Sequence, residues 1–430
     1  MLRYLLATAP IALLATNAQA ADAPKKQFGD PVAFADGMTL DPILDARLRW
    51  ENVDRPTASD ADAVTLRVRA GAEIKDKSTG LSALFEGAGT VALGRSYDAF
   101  PYVNAASNQD RNSHAVIPDP ENAAINRLQI GYQNKIFGLT VGRQRITLDD
   151  QRFVGALAWR QNEQTFDAAR ATVNYGPISL DGTYAKSQRT VFGNDGGARK
   201  AYNGQFIFLG AGYKHKLGQV KGFAYLLDYD KTAFSNAAAR STLDSSQTYG
   251  ARFVTAPYKF GKTVSLNLTG SYAKQREYGN NTKAYQVEYL AGEGNLTMGN
   301  HMVTVGYEEL GASTKAANGT WSFQTPMALL HKFNGTADMF LTTPANGLRD
   351  SYVGLSGKFP KVKALPGLNY SASYHLFGSD VKSTKYGNEF DAQIGFKTRK
   401  INWLVKYADY QAKGFGVDTK KFWLQAEYAF

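Results

Sequence analysis

Eighteen stretches of this 430-residue chain alternate apolar and polar side chains with a period of two. They lie near 43–52, 63–74, 81–93, 124–133, 136–146, 165–175, 178–188, 203–214, 219–230, 247–256, 262–274, 283–293, 301–309, 349–359, 367–377, 388–397, 400–410 and 420–430. That period belongs to β-strands, and the lengths suit the ~9–11 residues that a tilted strand needs to cross a bilayer. The connections sort by parity. After even-numbered strands they are mostly tight, as at Asn134-Lys135, Gly176-Pro177 and Thr398-Arg399; the long ones, 94–123, 147–164, 231–246 and 310–348, follow odd-numbered strands. Short periplasmic turns alternating with long extracellular loops mark an outer-membrane barrel. A soluble sandwich has no reason to segregate its loops this way. The expected fold is all-β: a transmembrane antiparallel β-barrel of 18 strands in the outer membrane of a Gram-negative bacterium.

The two ends agree with export and closure. Residues 1–20 read as a signal peptide, with Arg3 as the positive region, Tyr4 to Leu14 as the apolar stretch and Ala18-Gln19-Ala20 as the cleavage site. Residues 21–42 then form a periplasmic lead-in and 43–430 the barrel. No later run approaches the ~18 apolar residues of a spanning helix. The last strand ends on Phe430, an aromatic terminus suited to barrel-assembly machinery. There is no cysteine, so disulfides and thiol chemistry are excluded. Mean hydropathy is only −0.35 because every second strand residue faces lipid.

A closed barrel of this size leaves an aqueous channel unless it is plugged, and too little chain precedes the first strand to form a plug domain. On inward parity the basic residues are Arg47, Arg49, Arg67, Arg69, Arg127 and Arg170, with Arg252 and Lys406 further on. Acidic residues Asp228, Glu288, Glu308, Glu389, Asp391 and Glu427 weight the later strands, and Glu86 sits among the arginines. Rings of Arg favour anions. The plainer reading is that Arg67 or Arg69 pairs with Glu73 or Glu86 across neighbouring strands and stiffens the wall. One strand conflicts with the pattern: Leu139 and Val141 share parity with Arg143 and Arg145. Either the strand has left the hydrocarbon by Arg143, or a bulge near Gly142 resets it.

Trp50, Tyr132, Tyr175, Tyr184, Tyr229, Tyr272, Tyr307, Tyr374 and Tyr407 read as interfacial girdles, and Trp423 as an inward exception. Much of the net charge of +11 sits at turn lysines such as Lys135, Lys216 and Lys361, placed to reach lipid headgroups. This distribution argues against nucleic acid. No histidine pair has metal-ligand spacing, and no cofactor is expected. His375 shares inward parity with Ser371 and Ser373, which raises the alternative of a barrel hydrolase.

Val141-Gly142-Arg143-Gln144-Arg145-Ile146, then Leu148-Asp149-Asp150-Gln151-Arg152-Phe153-Val154-Gly155 and Trp159-Arg160-Gln161-Asn162 through Ala168, resemble the alginate-export porin family. Leu66-Arg67-Val68-Arg69, the Phe333–Asp350 stretch and Gly387-Asn388-Glu389-Phe390-Asp391 are similar to it too. The resemblance implies an eighteen-stranded barrel with an arginine-lined pore for a polyuronate. In the alginate exporter a long periplasmic turn near the C-terminus helps gate the pore; here the corresponding connection is only about Thr398 to Lys400. The expectation is a passive channel for anionic solutes, acidic saccharides or uronates above all. A weakly selective general porin is the alternative, and the barrel hydrolase a further one. The 310–348 loop is expected to fold into or over the mouth. Outer-membrane lipids are the expected surroundings, and the pattern fixes no oligomeric state.

Overall fold

A computed structural model describes residues 29–99, 109–230, 242–316 and 319–430. The signal-peptide segment lies outside the described residues.

Eighteen strands form one closed antiparallel barrel. They are β1 Met38–Asp54, β2 Ala61–Asp76, β3 Leu81–Ser96, β4 Asn122–Gln133, β5 Phe137–Gln144 and β6 Thr165–Tyr175. Next come β7 Ile178–Arg189, β8 Ala201–His215, β9 Gly218–Tyr229, β10 Ser246–Thr255, β11 Val264–Glu277 and β12 Gln286–Met298. The circuit ends with β13 His301–Leu310, β14 Leu348–Lys358, β15 Asn369–Gly378, β16 Lys385–Thr398, β17 Ile401–Ala412 and β18 Thr419–Ala429. β18 pairs with β1, Glu427 opposite Arg47 and Gln425 opposite Arg49, which closes the sheet and leaves no free edge. The first strand starts at Met38, inside the expected lead-in, and a short strand, Val32–Ala35, folds back on it.

The lipid-facing parity holds in most strands. Leu48, Trp50, Val68, Leu128, Ile130, Tyr184, Tyr272 and Tyr374 are all exposed, as an outer apolar band requires. The conflict in β5 resolves without a bulge in its pairing. Register with β4 and β6 runs unbroken through Gly142, which takes φ +119°, and the strand ends at Gln144. Arg143 stays on outward parity and pairs with Asp167 at 2.7 Å, while Arg145, past the strand end, turns inward.

Parity fails where loops fill the lumen. On β9, Phe223, Tyr225, Leu227 and Tyr229 are buried and face inward, so Tyr229 is no girdle residue. Asp228 takes the opposite parity and accepts the Asn280 N–H. Glu288 likewise points outward, next to Lys274 at 3.3 Å. An apolar strand face reads as lipid-facing, yet a loop packed inside the barrel excludes water just as lipid does.

Candidate functional site

Two long connections enter the barrel: loop A, residues 145–164, and loop B, residues 311–347. They are tied to each other by an isolated bridge between Val154 and Met327, with Gly155 N–H donating to the Met327 carbonyl at 2.9 Å. On one side Phe153 of loop A enters an aromatic nest, its ring 5.0 Å from Phe223, 5.3 Å from Tyr289 and 6.1 Å from Phe323. On the other side loop A lies on arginines. Arg47 donates to the carbonyls of Ala158 and Trp159, both at 3.1 Å, and Arg49 to that of Trp159 at 2.7 Å. The loop's backbone acceptors, which water would otherwise satisfy, are thus paired inside the barrel.

Where the loops meet, charges alternate. Arg160 of loop A reaches Glu51 of β1 at 3.1 Å and Asp338 of loop B at 2.8 Å. Asp338 also accepts from Lys421 at 2.8 Å and from His331 Nδ1 at 2.6 Å. The His331 ring stacks on Trp159, 4.4 Å apart and 7° from parallel, and its Nε2 lies 2.8 Å from Lys406 Nζ. Burial would raise the Asp338 carboxyl, but His331, Lys421 and Arg160 hold it well below the ordinary carboxylate value. Loop B is docked further by Arg152, which reaches Glu308 at 2.7 Å and Asn334 at 3.1 Å. Ala337 N–H donates to Glu389 at 2.6 Å, and the Thr336 hydroxyl to Asp391. Gly335, at φ +80°, lies close against the Glu389 carboxylate, in a left-handed conformation that favours glycine.

Below the loops a cavity of 2060 Å³ opens toward the end carrying the short turns, with Lys75, Lys77, Lys397, Arg399 and Lys400 at its mouth. Arg47, Arg69, Arg127, Arg170, Arg252 and Lys406 line it, as do Glu86 and Asp391. Arg49 and Arg67 are fully buried behind this surface, and Glu389 sits under loop B. Most of the arginines are paired with carboxylates of the wall or of loop A. Arg47 meets Glu427 at 2.8 Å, Arg69 meets Glu163 at 3.2 Å, Arg127 meets Glu86 at 2.6 Å and Arg252 meets Asp150 at 3.2 Å. Arg67 pairs with Asp45 and Glu427, and Arg170 with Asp181. The expected partners Glu73 and Glu86 for Arg67 and Arg69 are replaced by carboxylates from the seam and loop A. A β-bulge opposite Glu86 lets both Asn126 and Arg127 reach that carboxylate. Across the lumen the lining is acidic, with Glu293, Glu308, Asp350 and Asp391.

Sequence reading missed Arg145, Arg152, Trp159, Arg160, Glu163, His331 and Asp338 as site residues. Most lie in the 141–168 and 333–350 stretches that carry the family resemblance, and that was the available signal. His331 had none.

The serine and histidine of the hydrolase alternative do meet: His375 Nδ1 is 3.0 Å from Asp350 and Nε2 is 3.2 Å from Ser373 Oγ. The other group near Nε2, however, is the Asp391 carboxylate at 3.8 Å. A carboxylate there opposes the oxyanion that acyl transfer develops.

The alginate export family profile matches residues 45–320, more than half of the chain. The chain belongs to the alginate export family. Structurally it is similar to Pseudomonas aeruginosa OccK9 (OpdG), at TM-score 0.67 and 15% identity over 92% of this chain and 98% of that one. It is also similar to Pseudomonas aeruginosa OpdK, solved with vanillate (TM-score 0.65, 14% identity, 91% and 98% covered), and to Acinetobacter baumannii OccAB4 (0.65, 12%, 90% and 97%). At such identities the likeness establishes the fold. No curated protein sequence matches significantly. This member of the alginate export family is an outer-membrane β-barrel channel whose lumen is narrowed by loops A and B.

Proposed function

We propose that the barrel is a passive channel for small anionic solutes, with acidic saccharides or uronates as the class it serves. The observation that carries this reading is the shared wall: Arg47, Arg69, Arg127, Arg145 and Arg170, from five successive parts of the chain, line one side of the same cavity. A guanidinium fork replaces part of a carboxylate's hydration with directed hydrogen bonds. The wall carboxylates hold these forks in place, and the acids across the lumen keep a bound anion from being trapped. Conduction requires binding strong enough to enter and weak enough to leave. The solution of OpdK with vanillate, a small anion, is consistent with that class. A cavity of 2060 Å³ exceeds the ~300–1,000 Å³ of ordinary ligand pockets, so a hydrated sugar acid fits without shedding all its water.

The ion pairs that the arginines make with wall and loop A carboxylates favour a second reading, a general diffusion channel of weak selectivity, because each pair cancels part of the field. Blocking single-channel current with uronates and with neutral sugars of equal size separates the two. Anion selectivity predicts that uronates block at lower concentration and that the difference disappears in Arg69→Ala plus Arg127→Ala; equal block by both solutes would leave the weakly selective channel. We also read Phe430 as the handle for barrel-assembly machinery, so that its removal lowers the yield of assembled barrel.

A further inference from the structure

His331 occupies an unusual place for a titratable group in a lumen. Its Nδ1–H donates to Asp338 on its own loop, which leaves Nε2 to accept from the Lys406 ammonium of β17. The flat of the ring lies on Trp159 of loop A, with the Arg49 guanidinium 4.2 Å from the centre of that indole. Arg160, also from loop A, and Lys421 of β18 complete the charged surroundings through their shared contact with Asp338. One imidazole therefore joins loop A, loop B and the wall at once, and it does so only as the neutral tautomer. A proton on Nε2 would put an N–H and an ammonium nose to nose at 2.8 Å.

We propose that His331 is a proton-released clasp that positions the two constricting loops, so that acidification loosens the His331 end of loop B from Lys406 of the wall and switches the channel to a second conductance state. The proposal rests on this junction and not on which solute the channel passes. The sign follows from linkage. Burial pushes the docked imidazole well below its ordinary value, Lys406 and Arg160 add to that, and Asp338 opposes them. Released into water the ring returns to about 6.5. The docked state therefore binds fewer protons, and docking weakens as pH falls below about 6.5. Each further pH unit multiplies the released-to-docked ratio about tenfold, or about 30-fold at pH 5.

Single channels of the full-length protein, recorded in a planar bilayer from pH 8 to pH 4.5, test this directly. The expected result is a second conductance level whose occupancy is constant above pH 7 and rises by about that factor at pH 5. His331→Gln, which keeps one donor and one acceptor in place, should retain the high-pH conductance and lose the acid response. Lys406→Met removes the opposing charge, which brings the docked imidazole closer to its ordinary value and should shrink the response while leaving its onset near pH 6.5. His375→Gln, at the other buried lumen histidine, should leave the response unchanged. A wild-type record with no pH-dependent level, or an acid response that persists in His331→Gln or vanishes in His375→Gln, overturns the proposal.

Discussion

The wall made by β1 to β5 and the wall made by β8 to β12 obey the same inward parity and carry opposite chemistry. The first presents arginines locked to carboxylates and to the carbonyls of loop A; the second presents Phe223, Tyr225 and Tyr289 to the ring of Phe153, with Phe206 and Phe208 buried in the same cluster. Both walls hold the same loop. The difference teaches that an inward residue in a barrel answers to what stands in front of it. Facing the backbone of loop A, guanidiniums satisfy acceptors that would otherwise be buried unpaired. Facing the loop's apolar side chains, aromatic rings add contact area. Facing open lumen, as Arg127 and Arg170 do, the same residue type lines the cavity while paired with Glu86 and Asp181.

Breaking the polar side should have the largest effect. Arg160→Ala leaves Glu51 and Asp338 in a buried site without their shared cation, and removing one partner of a buried pair costs about 3–5 kcal/mol; limited proteolysis should then cut loop A where the native protein resists. The apolar side comes next. Phe153→Ala empties the aromatic nest at about 3 kcal/mol, read as a lowered thermal midpoint, with the arginine contacts and ion selectivity retained. A loss of selectivity there would mean that the two walls are not separable.

Acid should loosen the charged side in two stages while sparing the aromatic one. His331 releases first, below about pH 6.5, and reaches about 2 kcal/mol at pH 5. Glu163 follows: burial would raise its carboxyl, but Arg145 and Arg69 depress it to about 2, so its contribution is full above about 4.5 and is lost as pH falls toward 2. Protease sensitivity of the loops across pH should show both stages. The smallest effect is expected outside. Arg143 and Asp167 pair on the outer surface, half-exposed, and Arg143→Ala should move the thermal midpoint by less than about 1 kcal/mol equivalent.

The barrel was legible because its signal is local. Period-two alternation and turn length need no knowledge of distant contacts, and the strands start and stop within a few residues of where they are read. The exceptions share one cause. Tyr229, Asp228 and Glu288 take the face opposite to the one their pattern suggests because an apolar stripe says only that water is absent, and in β9 and β12 a loop excludes it instead of lipid. The core of the site was beyond reach for a different reason. Arg160 and Asp338 are 178 residues apart, and Lys406 lies 75 from His331. No spacing rule connects such residues until two loops fold into one lumen. Arg67 and Arg69 show the middle case: parity placed both inward, and only the seam and loop A decide that Arg69 borders the cavity while Arg67 lies behind it.

The most direct measurement of the central claim is the reversal potential of single channels under a KCl gradient. A selective arginine wall predicts chloride preference in the wild type, reduced in Arg69→Ala plus Arg127→Ala and unchanged in Arg143→Ala. Cation preference in the wild type, or a preference that the double substitution leaves intact, would contradict it.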